Sequence, residues 1–244
     1  MPDAIFAHPR LAPLYDAFDH DRADLSAYLR IAARLGAYHV LDVGCGTGCL
    51  ALLLAKSGHR VTAVDPAEAS LDVAKSKPGA EAVTWIHGDA STLGALGTLG
   101  ADAALMTGNV AQVFLDEADW TAALQGIRRA LRPGGHLVFE TRRPGRREWE
   151  DWAVDAGETL RDIPGIGEVE RRFEVTEVAF PYVTFRYTYT FASDGAVVTS
   201  NSTLRFRSRE EIESALATSG FTTLEILDAP DRPGLEYVFV AQLS

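Results

Sequence analysis

The stretch that decides the fold is Val40-Leu41-Asp42-Val43-Gly44-Cys45-Gly46-Thr47-Gly48. A short apolar run leads into three closely spaced glycines, and a helix-like segment follows them. Glycine is needed where the backbone takes a positive φ or passes close to a ligand. The start of a helix offers free N–H groups and the positive end of its dipole to an anion. The stretch therefore predicts a strand, a tight loop and a helix that bind a nucleotide-like ligand.

The spacing of the glycines narrows the choice of ligand. Dinucleotide-binding loops follow the pattern G-x-G-x-x-G, with a ribose-binding acid about 20 positions further on. In this chain the pattern is G-x-G-x-G, and Cys49 stands where the third glycine of the dinucleotide pattern would be. No Gly-Lys-Ser or Gly-Lys-Thr follows the loop, which excludes a Walker-type phosphate-binding loop.

Five β-rich runs alternate with helix-like segments in the first part of the chain. The predicted strands are His39 to Gly44, Arg60 to Asp65, Val83 to Asp89, Asp102 to Thr107 and His136 to Thr141. Short crossovers of this kind require a parallel sheet with right-handed connections and helices on both faces. Ligands of such sheets bind at the carboxyl ends of the strands, where the glycine loop lies.

The pattern changes after Arg142. Three segments that alternate in steps of two predict an inserted antiparallel sheet over the ligand end: Glu168 to Ala179, Tyr182 to Ser193 and Ala196 to Arg207. Five aromatic residues on the second segment contact either a substrate or the protein core: Tyr182, Phe185, Tyr187, Tyr189 and Phe191. A capping box at Ser208 then starts a helix, and two closing strands follow it.

Further motifs accompany the glycine loop. Asp65 closes the second strand, Gly88-Asp89-Ala90 ends the third, and Leu131-Arg132-Pro133-Gly134-Gly135-His136-Leu137 leads into the fifth. In this order the motifs resemble those of class I S-adenosylmethionine-dependent methyltransferases of the small-molecule type, in particular the branch similar to sugar and amine N-methyltransferases. Thr107-Gly108-Asn109-Val110 replaces the Asn/Asp-Pro-Pro-Tyr/Phe motif of members that modify bases or glutamine amides, which argues against a DNA substrate and leaves RNA and protein substrates open.

This resemblance implies both the fold and the cofactor. The fold is α/β, a Rossmann-like seven-stranded and mostly parallel sheet whose last strand is antiparallel, with helices on both faces and an inserted antiparallel sheet. The cofactor is S-adenosyl-L-methionine, and its product is S-adenosyl-L-homocysteine. Asp65 is implied to bind the ribose, Pro66 to lie against the adenine, and Asp89 to reach the adenine amino group. The implied cofactor-binding residues are Tyr15, Gly44, Cys45, Gly46, Gly48, Asp65, Pro66, Asp89, Ala90 and Thr107.

The resemblance also divides the chain into three parts. Residues 1–38 are expected to form an N-terminal helical lid, in which a helix from Asp21 to Leu35 is predicted and Tyr15 lies near the cofactor. Residues 39–142 and 208–244 are expected to form the cofactor-binding domain. Residues 143–207 are expected to form the inserted antiparallel β cap.

The composition predicts a soluble globular protein. The 244 residues are 47% hydrophobic and 23% charged, with a mean hydropathy of −0.01. No apolar run approaches the roughly 20 residues of a membrane span. The net charge of −11 would repel a nucleic acid, so no DNA partner is expected.

The N-terminus, the cysteines and the histidines add three expectations. No secretory signal is visible, and the two cysteines, Cys45 and Cys49, indicate a cytoplasmic protein with reduced thiols. The six histidines lack metal-ligand spacing, so no metal is expected. The sequence leaves a monomer and a homodimer open.

The acceptor is predicted to be a small molecule, with an amine nitrogen favoured over oxygen. Methyl transfer from a sulfonium is an in-line displacement, so the enzyme mainly aligns the reacting atoms. A neutral amine needs no strong base, whereas an oxygen acceptor needs one. The candidates for a base are His8, Asp16, His20, Asn109 and His136. Two alternatives stay open: a non-catalytic adenosylmethionine-binding protein and, against the glycine spacing, an NAD-dependent oxidoreductase.

Overall fold

The strands of the protein form two separate sheets. A computed structural model describes residues 2–18, 22, 24–90, 92–93, 99–154 and 157–244. The strands are β1 (His39–Val43), β2 (Arg60–Asp65), β3 (Val83–His87), β4 (Ala101–Met106), β5 (Leu131–Arg142), β6 (Glu158–Ile163), β7 (Gly167–Ala179), β8 (Tyr182–Phe191), β9 (Val197–Arg205), β10 (Phe221–Asp228) and β11 (Glu236–Leu243). The helices are α1 (Ala4–Ala7), α2 (Tyr15–Phe18), α3 (Leu25–Arg34), α4 (Cys49–Lys56), α5 (Glu68–Ser76), α6 (Glu117–Ala130), α7 (Trp149–Val154) and α8 (Arg209–Thr218).

The larger sheet has seven strands in the order β3-β2-β1-β4-β5-β11-β10. Neighbouring strands pair in parallel, except that β11 is antiparallel to both β5 and β10. This arrangement confirms the predicted fold class. The pairing register places Val43, Val64 and Met106 at one edge of the sheet, where β1, β2 and β4 end together. Loops that follow these strands therefore meet at that edge.

Apolar side chains cover both faces of this sheet. Trp120 and Leu124 of α6 and Leu216 of α8 are buried in the core on one face. Tyr28 of α3 and Leu54 of α4 are buried in the core on the other. Packing on both sides explains why β1 is buried along its whole length, as expected for a central parallel strand.

The smaller sheet, which we call the cap sheet, has four antiparallel strands in the order β6-β7-β8-β9. The sequence predicted β7, β8 and β9 but missed β6, because Glu158–Ile163 is mostly exposed and lacks an apolar alternation. The N-terminal segment packs against this sheet: Leu14 and Phe18 share an apolar cluster with Tyr189. The predicted lid and the predicted cap are therefore in direct contact, while their domain boundaries stay predictions.

Several element ends differ from the predicted ones for local reasons. The helix α5 begins at Glu68 rather than at Pro66, because the Asp65 carboxylate accepts the Ala67 N–H and holds this turn extended. The strand β5 begins already at Leu131, opposite Ala101, and an irregularity in the pairing follows. The helix α3 begins at Leu25, whereas residues 21 and 23 of the predicted lid helix lie outside the described residues.

The capping box that was predicted at Ser208 is present. The Ser208 hydroxyl accepts the Glu211 N–H, and the Glu211 carboxylate accepts the Ser208 N–H. No helix within the described ranges is both long and apolar enough to cross a membrane.

Candidate functional site

The three glycines of the loop after β1 all have a positive φ, but their surroundings differ. A β-carbon on Gly44 would lie 2.7 Å from a methyl carbon of Val110, and one on Gly48 would lie 2.6 Å from the Trp85 ring. A β-carbon on Gly46 would meet no atom within 4 Å. Gly44 and Gly48 are thus required by close packing, whereas Gly46 keeps a space open at the edge of the sheet.

Asp65 at the end of β2 fastens this loop. Its Oδ2 accepts the Gly46 N–H at 2.7 Å, and its Oδ1 accepts the Ala67 N–H at 2.8 Å. Burial raises the pKa of the Asp65 carboxyl, and these two backbone hydrogen bonds oppose that increase. Each carboxylate oxygen can accept a further hydrogen bond, so the side chain can support the loop and still bind a diol.

Other predicted residues follow the neighbouring strands at the same edge. Pro66 and Asp89 are exposed beyond β2 and β3, and Thr107 is buried beyond β4. The Asp89 carboxylate accepts the Thr92 N–H at 3.0 Å, so it shapes its own turn. Ala90 is buried in the apolar core, which leaves its backbone as the part that can face a ligand.

A buried acid beside this edge was missed by the sequence analysis. Glu140 lies on β5, one position beyond Phe139, which pairs with the last residue of β4. Its Oε1 accepts the Gly108 N–H at 2.6 Å and the Asn109 N–H at 3.1 Å. Burial and the nearby Glu236 raise the pKa of Glu140 to about 7. An acidic residue at a buried position of an apolar strand was the sequence signal that could have revealed it.

Asn109 is held in the left-handed region, with φ 59°, and is buried. Its amide nitrogen donates to Glu236 Oε1 at 3.0 Å. Its Oδ1 has no hydrogen-bond partner among the described residues, although buried polar atoms are normally paired. Asn109 therefore carries a buried acceptor without a described partner, within the loop that follows β4.

Asp16 connects the N-terminal segment to the glycine loop. Its Oδ1 accepts the Thr47 hydroxyl at 2.6 Å, and its Oδ2 lies 2.5 Å from Lys77 Nζ. Lys77 also donates to the Thr47 carbonyl at 2.7 Å. Burial raises the pKa of Asp16, but the hydrogen bonds from Lys77 and Thr47 outweigh it and the net shift is downward. An ion-paired carboxylate of this kind is suited to holding the loop rather than to accepting protons.

The remaining candidates for a base lie elsewhere. His136 lies beside Ala103, at the amino end of the sheet, and Phe139 at the ligand edge is about 10 Å further along β5. His8 caps a turn, where its Nδ1 accepts the Arg10 N–H at 3.1 Å. His20 lies outside the described residues. Tyr15 packs with its ring 5.4 Å from that of Phe6, in the segment that carries Asp16.

A cavity of about 480 Å³, which we call the cap cavity, lies between the cap sheet and the end of β5. It is lined by Arg142, Glu148, Trp152, Gly157, Glu158, Thr159, Arg171, Phe173, Phe185, Tyr187, Leu204 and Arg232. The aromatic residues predicted on β8 divide accordingly. Phe185 and Tyr187 line the cavity, whereas Tyr189 and Phe191 are buried in the core and Tyr182 contacts the Leu115 carbonyl.

One end of the cap cavity carries unpaired buried polar atoms. Arg142 Nε and Glu148 Oε2 lie 3.5 Å apart, and each lacks a hydrogen-bond partner among the residues described. Burial raises the pKa of Glu148, and the charge of Arg142 opposes this increase. No motif pointed to this pair, because Arg142 and Glu148 flank a polar stretch with no periodicity.

The two cysteines near the loop are free thiols. Burial raises the pKa of Cys45 well above its usual value, so its thiol stays protonated. Within the described ranges, no group of three histidine, cysteine, aspartate or glutamate side chains could hold a metal ion.

The region that carries the glycine loop matches a known protein family. Residues 40–135 match the model of a methyltransferase domain. The cypemycin N-terminal methyltransferase of Streptomyces sp. is 34% identical over 122 residues, which are 50% of this chain and 49% of that protein. The chain thus matches about half the length of this curated relative.

Comparison with solved structures extends the likeness to the whole chain. An S-adenosylmethionine-dependent methyltransferase from Clostridium acetobutylicum is similar with a TM-score of 0.77, at 18% identity over 96% of this chain and 98% of that chain. The sugar N-methyltransferase KedS8 from Streptoalloteichus sp. is similar with a TM-score of 0.75, at 22% identity over 93% of this chain and 92% of that chain. These similarities show a shared fold.

Proposed function

We propose that this chain, whose residues 40–135 match a methyltransferase domain, is a class I S-adenosylmethionine-dependent methyltransferase that methylates an amine nitrogen of a small molecule. The cap cavity carries this proposal. Its volume of about 480 Å³ is that of a site for a small ligand, whereas a nucleic acid needs an open basic surface. Two of the similar proteins are named as methyltransferases of an N-terminus and of a sugar nitrogen, which supports the choice of nitrogen.

The cofactor is held by the residues that the glycine loop brings to the sheet edge. When bound, adenosylmethionine supplies an electrophilic methyl group on a sulfonium. The open space at Gly46 would admit the cofactor, and the Asp65 carboxylate, which holds the Gly46 N–H, would accept hydrogen bonds from its ribose hydroxyls. We include all ten predicted residues in this proposed site: Tyr15, Gly44, Cys45, Gly46, Gly48, Asp65, Pro66, Asp89, Ala90 and Thr107.

The acceptor amine is held by the Glu148 carboxylate in the cap cavity, since a carboxylate attracts an ammonium group. The Trp152 ring beside it already carries the Arg142 guanidinium, whose carbon lies 4.9 Å from the ring centre, so the carboxylate rather than the ring is the partner of the amine. The raised pKa of Glu148 suits it to take the proton that leaves this ammonium before attack. The freed nitrogen would then bond to the methyl carbon that the bound cofactor would supply, while the carbon–sulfur bond would break and leave its electron pair on sulfur. The lid and the cap would exclude water during this step.

Paired acceptors test this proposal. The protein is incubated with S-adenosylmethionine and with primary amines or the alcohols of the same skeleton, and S-adenosylhomocysteine is measured by mass spectrometry. We expect product from at least one amine and none from its alcohol. Glu148→Gln should lower kcat at least roughly tenfold, whereas Glu150→Gln, on exposed α7 surface, should not.

The opposite results would be informative. Methylation of alcohols with no methylation of amines would contradict the choice of nitrogen. Cofactor binding with no homocysteine product from any acceptor would favour a non-catalytic adenosylmethionine-binding protein.

A further inference from the structure

The cap cavity contains a cation that amine methylation does not use. Arg171 of β7 lies opposite Tyr189 of β8, and it shares the inner face of the cap sheet with Phe173. Its guanidinium carbon lies 4.6 Å from the centre of the Phe18 ring and 5.1 Å from that of Tyr187. Burial raises the pKa of the neighbouring Tyr189, and the charge of Arg171 opposes this increase. These contacts hold the guanidinium in a fixed place at the cavity wall.

The other charged residues of the cavity wall have partners of opposite charge. Arg142 lies near Glu148 and Glu236, Arg232 pairs with Glu236, and Glu158 pairs with Arg172 outside the cavity. No carboxylate of the described residues lies within ion-pair distance of Arg171. The lining has three arginines and two glutamates, an excess of positive charge in a chain whose net charge is −11.

Aromatic rings connect Arg171 to the opposite end of the cavity. The Arg142 guanidinium carbon lies 4.9 Å from the centre of the Trp152 ring. The ring centres of Trp152 and Phe185 are 6.0 Å apart, and those of Phe185 and Tyr187 are 5.7 Å apart. The Tyr187 ring in turn contacts Arg171. The cavity thus has a carboxylate at Glu148, an apolar wall, and a guanidinium at Arg171. A ligand that spans it would place groups of opposite charge at its two ends.

We propose that Arg171 binds an anionic group of the methyl acceptor, a carboxylate or a phosphate ester, at the end of the cap cavity opposite Glu148. This inference rests on the proposed function and narrows it, because the acceptor is then an amine that also carries an acidic group. Guanidinium recognises both anions through paired N–H groups, and the aromatic contacts of Arg171 orient these groups in advance.

Small aromatic probes test this site without knowledge of the acceptor. Benzoate, phenyl phosphate and neutral benzamide are titrated into the full chain saturated with S-adenosylhomocysteine, and binding is followed by tryptophan fluorescence, since Trp152 lines the cavity. We expect one of the two anions to bind at least roughly tenfold more tightly than benzamide. The anion that binds more tightly distinguishes a carboxylate from a phosphate.

Substitution of Arg171 completes the test. In Arg171→Gln, the preference for the anion should fall to within about twofold, and Arg171→Lys should retain part of it. Arg161→Gln is the matched control, because Arg161 lies exposed on β6 and does not line the cavity. Urea unfolding establishes that each variant is folded.

Several outcomes would overturn the inference. These are equal binding of the anions and benzamide, failure of both anions to bind, and a preference for the anion over benzamide that survives in Arg171→Gln. A loss of S-adenosylhomocysteine affinity in Arg171→Gln would also overturn it, by placing the residue in the cofactor site. Failure of the proposed function looks different, because wild-type protein would then bind no S-adenosylhomocysteine or would methylate no amine.

Discussion

Gly46 and Gly48 share a left-handed backbone but perform different tasks. Gly48 is enclosed by Trp85 and Ala74, whereas Gly46 faces open space. The same substitution at the two positions therefore separates packing from ligand access. Glycine spacing predicts the same role for both positions, because spacing alone does not report what surrounds an α-carbon.

Alanine at Gly48 should mainly lower stability, whereas alanine at Gly46 should mainly weaken cofactor binding. Gly48→Ala should lower the free energy of unfolding by roughly 2–4 kcal/mol, from backbone strain and overlap with Trp85. Gly46→Ala should cost about 1–2 kcal/mol of strain but should weaken S-adenosylhomocysteine binding more strongly. Urea unfolding and calorimetric titration measure the two effects, and a Gly46→Ala variant with unchanged affinity would contradict the role of this space.

Asp65 provides a second test that depends on a single residue. Asp65→Ala removes the acceptor of the Gly46 N–H and the proposed partner of the ribose. The affinity for adenosylmethionine should fall by about 2–3 kcal/mol, as for the loss of charge-assisted hydrogen bonds. Unchanged affinity in a calorimetric titration would refute the ribose role.

Glu140 makes stability depend on pH. Its folded pKa of about 7 is raised above the unfolded value, so the folded state holds a proton that the unfolded state releases. Its contribution to stability is therefore complete below about pH 4.5 and is lost as pH rises through about 7.

Glu140→Gln removes this dependence while keeping an oxygen for the Gly108 and Asn109 N–H groups. The stability difference between wild type and variant should change by roughly 3 kcal/mol between pH 4.5 and 7.5, with the wild type losing stability as pH rises. Urea unfolding at intervals across this range measures the change, and parallel curves would contradict the assignment.

At the scale of elements, short segments hold the glycine loop from outside. The helix α2 contributes Asp16, the end of α5 contributes Lys77, and both contact Thr47. The sequence predicted α5, apart from its first residues, and the glycine loop, because periodicity and glycine spacing are local signals, but it did not predict the short helix α2. It could not predict this cluster, since the three residues come from distant parts of the chain and only the fold brings them together.

Loss of the Lys77 ammonium should loosen the loop. Lys77→Met should weaken S-adenosylhomocysteine binding by about 1 kcal/mol, because both the Asp16 carboxylate and the Thr47 carbonyl lose a donor. Lys75→Met, at an exposed position in the last turn of α5, is the matched control and should bind normally. Equal affinities of the two variants in a calorimetric titration would show that the cluster does not support the loop.

For the whole molecule, the large sheet and the cap cavity were predictable from the sequence to different extents. The large sheet was predicted because its strands are buried and end in recognisable motifs, as β1 does at Gly44. The cap cavity was not predicted, because its charged residues Arg142, Glu148 and Arg171 have no characteristic spacing in the sequence. These residues line one cavity only once the cap sheet lies against the end of β5. The residues that indicate the cofactor therefore form recognisable motifs in the sequence. The residues that line the proposed acceptor site come together only in the folded protein.

The cofactor assignment is decided by calorimetric titration of the folded wild-type chain with S-adenosylmethionine. We expect saturable binding of one cofactor per chain, with NAD giving no heat under the same conditions. A well-folded chain that binds no S-adenosylmethionine, or that binds NAD instead, would contradict it.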